Sequence, residues 1–268
     1  MKQNALKPFL FVALLVMVVS LACGIDFGTK TPEPVQPVIQ PTQAQPPIQL
    51  PTQQVQQPSP IPPTAIPPTV APPASPFFKE EFDRDVLGDW TNFVTIGDSK
   101  SNKSKAKVTI ENGKLVFSME DNYLYSYLIY DKQSYDDVSI EVSAANRGKN
   151  NNNVSLICRY SDLGWYEFNI ASNGMFNILV YDAKGIVHKG YNALVTDGSN
   201  AIKMGKETNV YIAVCSGKNL MLYINGEESA SFTDNKYGFT DGKIGVSVSS
   251  FNVYPIIVDI DYIDLQLP

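Results

Sequence analysis

The side chains in this sequence with binding chemistry to offer are crowded together. Trp165, Tyr166, Tyr160, Tyr181, Tyr123, Tyr125 and Tyr127 lie densely in one stretch of the chain. Aromatic rings of this kind hold sugars by stacking on their faces, while Asn, Glu and Arg side chains take the hydroxyls. If residues 164–170 form a strand, alternation puts Trp165, Glu167 and Asn169 on one face and Tyr166, Phe168 and Ile170 on the other. The first set is the outward, ligand-facing group. Arg159 completes a polar site if the strand from Val154 to Tyr160 turns it to the same side. The competing reading is that Trp165 and the tyrosines pack the core or its rim.

Other chemistries lack their residues. The chain has 1 histidine, His188, in a loop-like stretch, which excludes a multi-histidine zinc site. No Gly-x-Ser-x-Gly nucleophile elbow and no phosphate-cradling Gly-rich loop occurs. Glu141 stands alone on its strand, as Glu167 does. Alternation places Asp259 and Asp261 on one strand face and Asp264 on the other, so one metal ion would not collect all three. From Phe77 onward 25 Asp plus Glu face 18 Lys plus Arg. A polyphosphate backbone is repelled by that balance, and nucleic acid is not an expected partner.

The elements that must position these residues read as strands. Val138, Ile140 and Val142 alternate with polar residues, and Val210, Ile212 and Val214 lead through Ser216-Gly217-Lys218 to Leu220, Leu222 and Ile224. Lys107 to Ile110, Asn112-Gly113 and Leu115 to Phe117 read as a hairpin with an Asn-Gly turn. Further strands are expected near 124–130, 154–160, 164–170, 174–181, 243–251 and 256–266, with no convincing helical period. The expected fold class is all-β, an antiparallel two-sheet sandwich of jelly-roll type over 77–268.

The order Glu81-Phe82-Asp83, Gly88-Asp89-Trp90, Ile157-Cys158-Arg159-Tyr160, Gly164-Trp165-Tyr166-Glu167-Phe168-Asn169-Ile170, Ala213-Val214-Cys215 and Leu222-Tyr223-Ile224-Asn225-Gly226 resembles the concanavalin A-like lectin/glucanase superfamily. The likeness is strongest to its laminin-G-like and keto-disaccharide-hydrolase-like branch, and it spans essentially Phe77 to Pro268. It implies a sandwich that hosts lectins, glycosidases and adhesion modules alike. Glycosidases of this group carry two carboxylates on one strand face, usually as Glu-x-Asp-x-x-Glu, and that pattern is absent here. The resemblance also implies a structural calcium ion in some relatives, which here would use Asp83 with Asp259 or Asp261.

The N-terminal part reads as an address and a spacer. Lys2 and Lys7 precede an apolar stretch of about fifteen residues, Pro8 to Ala22, shorter than the roughly twenty a spanning helix needs. Ser20-Leu21-Ala22-Cys23-Gly24 resembles a bacterial lipobox, with Ser20 in place of the usual Leu. Residues 1–22 are therefore expected to be a lipoprotein signal peptide, with Cys23 the acylated residue. The segment 23–76 is expected to be a disordered, Pro-rich linker, since 16 of the 19 prolines lie between Thr31 and Pro76. This organisation would tether the domain to the outer face of a bacterial cell membrane. Cys158 and Cys215, each in an expected strand, either form a disulfide, as an exported location allows, or pack as buried thiols.

The leading functional expectation is a cell-surface lipoprotein whose non-catalytic sandwich binds a glycan or a cell-wall polymer. Its rivals are a glycoside-active hydrolase with a diverged carboxylate pair and a protein-binding adhesion or assembly domain. Replacing the acylated residue tests the anchor: Cys23→Ser should move the full-length protein from the membrane fraction to the soluble one. Retention of the variant on the membrane refutes lipidation at this residue.

Overall fold

Short extended segments with apolar side chains at alternate positions bury them only by pairing into sheets and laying two sheets face to face. Residues 75–268, the part described in this computed structural model, form two such antiparallel sheets. The first contains β1 (Lys79–Glu80), β3 (Ala106–Ile110), β4 (Leu115–Met119), β6 (Val138–Asn146), β11 (Thr208–Ser216), β12 (Asn219–Ile224), β13 (Glu227–Thr233) and β15 (Ile256–Gln266). Its order is β13-β12-β11-β6-β15-β4-β3, with β1 paired to β15. The second contains β2 (Trp90–Ile96), β5 (Leu124–Tyr130), β7 (Asn152–Ser161), β8 (Gly164–Ala171), β9 (Met175–Asp182), β10 (Gly190–Gly198) and β14 (Lys243–Ser250), ordered β10-β9-β8-β7-β14-β5-β2. The expected two-sheet sandwich is what forms. The expected signal peptide, Cys23 and nearly all of the linker fall outside the described residues.

One core lies between the sheets. Ile140, Val142, Ala213 and Leu222 meet Leu156, Phe168, Ile178 and Val246 there, all buried. Each of these side chains larger than alanine contributes about 1.5–3 kcal/mol of transfer free energy. The Asn-Gly hairpin forms as expected: Asn112 and Gly113 both take positive φ, 53° and 69°, and Glu111 and Lys114 exchange backbone hydrogen bonds of 2.9 and 3.1 Å. Three strands carry no alternation strong enough to read from sequence, namely β2, β10 and β13. Each is an edge strand. An edge strand lays less of itself in the core, so selection for an apolar period is weak there.

Bulges redirect charged residues at two places. Between Ile260 and Tyr262 the pairing of β15 with β6 shifts register, so Val258 and Ile260, then Ile263 and Leu265, all enter the core. Asp264 therefore emerges on the same side as Asp259, not opposite to it as strict alternation requires. The second bulge, between Cys158 and Ser161 of β7, involves Arg159.

Covalent and electrostatic ties hold the sandwich and its loops. Cys158 of β7 and Cys215 of β11 form a disulfide across the two sheets, with Cα atoms 6.7 Å apart and a sequence separation of 57. Asp182 accepts the backbone N–H groups of Gly185 and Val187 at 2.7 and 2.8 Å and shapes the loop between β9 and β10. Asp234 accepts the Tyr166 hydroxyl at 2.6 Å and the N–H groups of Lys236 and Gly238 at 2.9 and 2.8 Å. For both carboxyls burial opposes ionisation, but the donors outweigh it and hold the pKa below the usual aspartate range.

Two outcomes follow. The double variant Cys158→Ala/Cys215→Ala should lose about 4 kcal/mol of unfolding free energy in urea, the chain-entropy value for a loop of this length. A loss below about 1 kcal/mol would mean that the bond adds little to a fold already fixed by packing. The aspartates give an acid dependence. A carboxyl with a depressed folded pKa stabilises fully above its unfolded value, about 3.9, and that stabilisation is lost as pH falls through the lower folded value. The amide resonances of Gly185 and Gly238 should accordingly titrate with midpoints below about 3.9, and Asp182→Asn should abolish the Gly185 step alone. A midpoint above the free-aspartate value contradicts the assignment.

Candidate functional site

Because Tyr166, Phe168 and Ile170 fill the core, Trp165, Glu167 and Asn169 stand on the outer face of the second sheet. The registers of β7, β8, β9 and β10 arrange that face in rows. Trp165 pairs with Tyr181, and Tyr181 with Tyr191. Glu167 lies between Ile157 and Leu179, and Asn169 between Ser155 and Asn177. An aromatic row, a carboxylate row and an amide row thus run across the strands. The first and third are about 13 Å apart, four residues of strand rise.

The aromatic row is tightly packed. The Trp165 ring stacks on Tyr181 at 4.2 Å between centroids and 21° between planes, with Tyr160 at 5.1 Å and the Tyr127 and Tyr191 rings at 6.2 and 6.1 Å. Phe93 of β2 continues the layer by stacking on Tyr127 at 4.8 Å and 8°. Gly245 of β14 lies beneath Ile129, whose Cδ1 would be 2.5 Å from any Cβ there. At the β7–β8 turn a Cβ on Gly164 would fall 1.9 Å from the Tyr181 carbonyl oxygen, so only glycine lets β8 approach β9 at the start of the row.

Packing of this kind changes the roles expected from sequence. Trp165 faces outward as alternation requires, yet its neighbours leave it only 9% exposed. The exposed ring is Tyr191, at 46%. Its hydroxyl nevertheless turns inward, donating to Glu167 Oε2 at 2.7 Å and lying 2.8 Å from the Tyr127 hydroxyl. Burial of the hydroxyl and then the charge of Glu167 push the Tyr191 phenol far above its usual range, and the same two causes raise Tyr127. Both therefore stay protonated donors. Glu167 Oε2 also accepts Trp165 Nε1 at 3.2 Å, so both bonds fall on one oxygen and Oε1 stays free to accept. Tyr191 escapes a reading from sequence because it lies on an edge strand after an irregular loop.

The amides are hydrogen-bonded to their neighbours in two groups, with Asn153 reaching in from the adjoining row, opposite Ala171. Asn153 Nδ2 donates to Asn169 Oδ1 at 2.5 Å, Asn169 Nδ2 to Ser155 Oγ at 2.8 Å, and Thr196 Oγ1 to Asn177 Oδ1 at 2.7 Å.

Arg159 does not join this face. The bulge gives it φ 55° and turns its side chain inward, where it is 2% exposed. Its Nε and Nη2 donate to the Asp136 carbonyl at 3.1 and 3.0 Å, and its Nη1 to the Phe239 carbonyl at 2.7 Å. It clamps loops at the end of the sandwich. Of the aspartates expected to hold calcium, Asp259 and Asp261 are each paired with a cation of the chain. Asp259 is gripped by Arg147 Nε and Nη2 at 3.1 and 3.0 Å, and Asp261 pairs with Lys114 Nζ at 3.0 Å. Asp83 lies against Gly113 of the β3–β4 turn. Among the described residues no group of three or more His, Cys, Asp or Glu is placed to hold a metal ion.

No protein-family model matches the chain, and no curated protein matches it. Solved structures do. A protein of unknown function with a galectin-like fold from Bacillus subtilis aligns over 71% of this chain and 94% of its own, with TM-score 0.54 and 9% identity. A glycoside hydrolase family 16 endo-glucanase from Bacteroides ovatus aligns over 70% and 99%, with TM-score 0.53 and 12% identity. The β-glucanase of Bacillus licheniformis aligns over 72% and 98%, with TM-score 0.53 and 14% identity. At these identities the likeness is one of fold, and the domain has the concanavalin A-like jelly-roll fold.

Proposed function

We propose that this chain is a cell-surface lipoprotein presenting a non-catalytic sandwich that binds a glycan or surface polymer on the outer face of its second sheet. The observation that carries the reading is the face itself. Pre-packed rings with Tyr191 exposed, a carboxylate with one oxygen unused and a row of amides supply the stacking surface and hydroxyl partners that sugars require. Two structural neighbours, an endo-glucanase and a β-glucanase, support a carbohydrate ligand. Hydrolysis by paired carboxylates needs a second acid near the first. The neighbours of Glu167 across the strands are Ile157 and Leu179, and those along its own face are Trp165 and Asn169. That supports binding without cleavage. Export and anchoring rest on the apolar leader, the lipobox-like residues at Cys23 and the Pro-rich linker. The Cys158–Cys215 bond, which suits an oxidising compartment, supports them.

A glycan array probed with the full-length protein and with Tyr191→Ala tests the reading. Specific binding that falls about tenfold in the variant, the loss of one aromatic platform, is the expected result. Bond cleavage in the bound glycans would instead establish the hydrolase. Absence of glycan binding would leave the protein-binding adhesion domain.

A further inference from the structure

The asparagines at one end of this face outnumber those the fold uses. Asn146 accepts Gly148 N and donates to the Lys149 carbonyl, Asn151 accepts Val253 N, and Asn173 accepts Met175 N, so these three shape turns. Asn153 and Asn177 are different. Asn153 Oδ1 is buried without a hydrogen-bond partner. Turning that amide over exchanges acceptor for donor and leaves the same position unmet. Asn177 accepts from Thr196 through Oδ1, and its Nδ2 has no partner among the described residues. An unmet buried amide atom such as Asn153 Oδ1 costs about 1–3 kcal/mol, so that position calls for a partner, while half-buried Asn177 has a donor to offer at the surface.

Both side chains line a cavity of about 440 Å³, whose wall also includes Asn152, Met175, Met204 and Phe251. Every lining side chain is uncharged, on a chain of net charge −6. Amides offer donors and acceptors together, which a hydroxyl answers in both senses and an ion in only one. Met204 and Met175, 63% and 42% exposed, add adaptable apolar surface of the kind that meets the C–H face of a ring.

We infer that this cavity is a second half of the binding face, specific for an uncharged polyhydroxylated segment. The ligand is then a neutral glycan chain that runs from the aromatic row to the amide cavity, not a single terminal sugar. The inference rests on the glycan-binding reading above and adds the charge and extent of the ligand. From Trp165 to Ala171 along β8 the face measures about 20 Å, which requires several sugar units.

Calorimetry on the full-length protein, with neutral glucan, mannan, xylan and galactan oligosaccharides from disaccharide to hexasaccharide and with polygalacturonate, tests this. The expected result is binding to a neutral series, at least about tenfold tighter for hexasaccharide than for disaccharide, and none to polygalacturonate. Asn177→Ala and Met204→Ala, both near the surface, should each weaken hexasaccharide binding about tenfold with the melting temperature unchanged, and Met204→Ala, outside the rows of the sheet face, should leave disaccharide binding as it is. Tyr191→Ala should weaken both lengths. Equal affinity for short and long chains, preference for the anionic polymer, or unchanged hexasaccharide binding in both cavity variants overturns the inference while leaving the glycan reading intact where Tyr191→Ala still acts. Binding to no member of the panel overturns the two together.

Discussion

The burial of one face of each sheet against the other is the constraint from which the site follows. A strand has two faces and a strict period of two, so sending Tyr166, Phe168 and Ile170 into the core forces Trp165, Glu167 and Asn169 out. A slip of one residue would bury a carboxylate and an amide among apolar side chains and expose three large apolar ones. The neighbouring strands obey the same rule: Leu156 and Val154 enter while Ile157 and Ser155 leave, and Ile178 and Val180 enter while Asn177 and Tyr181 leave. The rows on the outer face are the reverse side of the core.

What is left outside is itself packed. The rings of Phe93, Tyr127, Tyr160, Trp165, Tyr181 and Tyr191 contact one another in a continuous layer, so most were given up as free platforms to make a rigid one. Such rings lose little side-chain entropy when a ligand arrives, because they are already held. The same layer removes Glu167 from water to 3% exposure, and the Trp165 N–H and Tyr191 hydroxyl compensate that loss through one carboxylate oxygen. Trp165 and Glu167 orient Tyr181 and Tyr191, the rings nearer the surface.

Departures from the period are equally consequential. The bulge in β7 redirects Arg159 into the end of the sandwich, where main-chain carbonyls and the Asp137 carboxylate meet its charge, and the bulge in β15 brings Asp264 round to the side of Asp259. Each moves a charged residue to the opposite face at the expense of one unpaired residue. The carboxylates of Asp259 and Asp261 are in turn matched by Arg147 and Lys114, brought to them from other strands.

The sequence by itself determined the fold class, the hairpins at Asn112-Gly113 and Ser216-Gly217-Lys218, and the sharing of one face by Trp165, Glu167 and Asn169. These are properties of local period and turn chemistry, which a few adjacent residues encode completely. Tertiary structure decided what depends on register between strands far apart in the chain. Tyr191 became the exposed ring, Arg159 left the site, and Asn153 came within hydrogen-bond reach of Asn169 from the adjoining row. No local pattern specifies which residue of one strand faces which residue of another, and a bulge is invisible until the pairing around it is complete. The edge strands β2, β10 and β13 were hidden for a related reason: half-wet strands bear little apolar imprint of the sheet to which they belong.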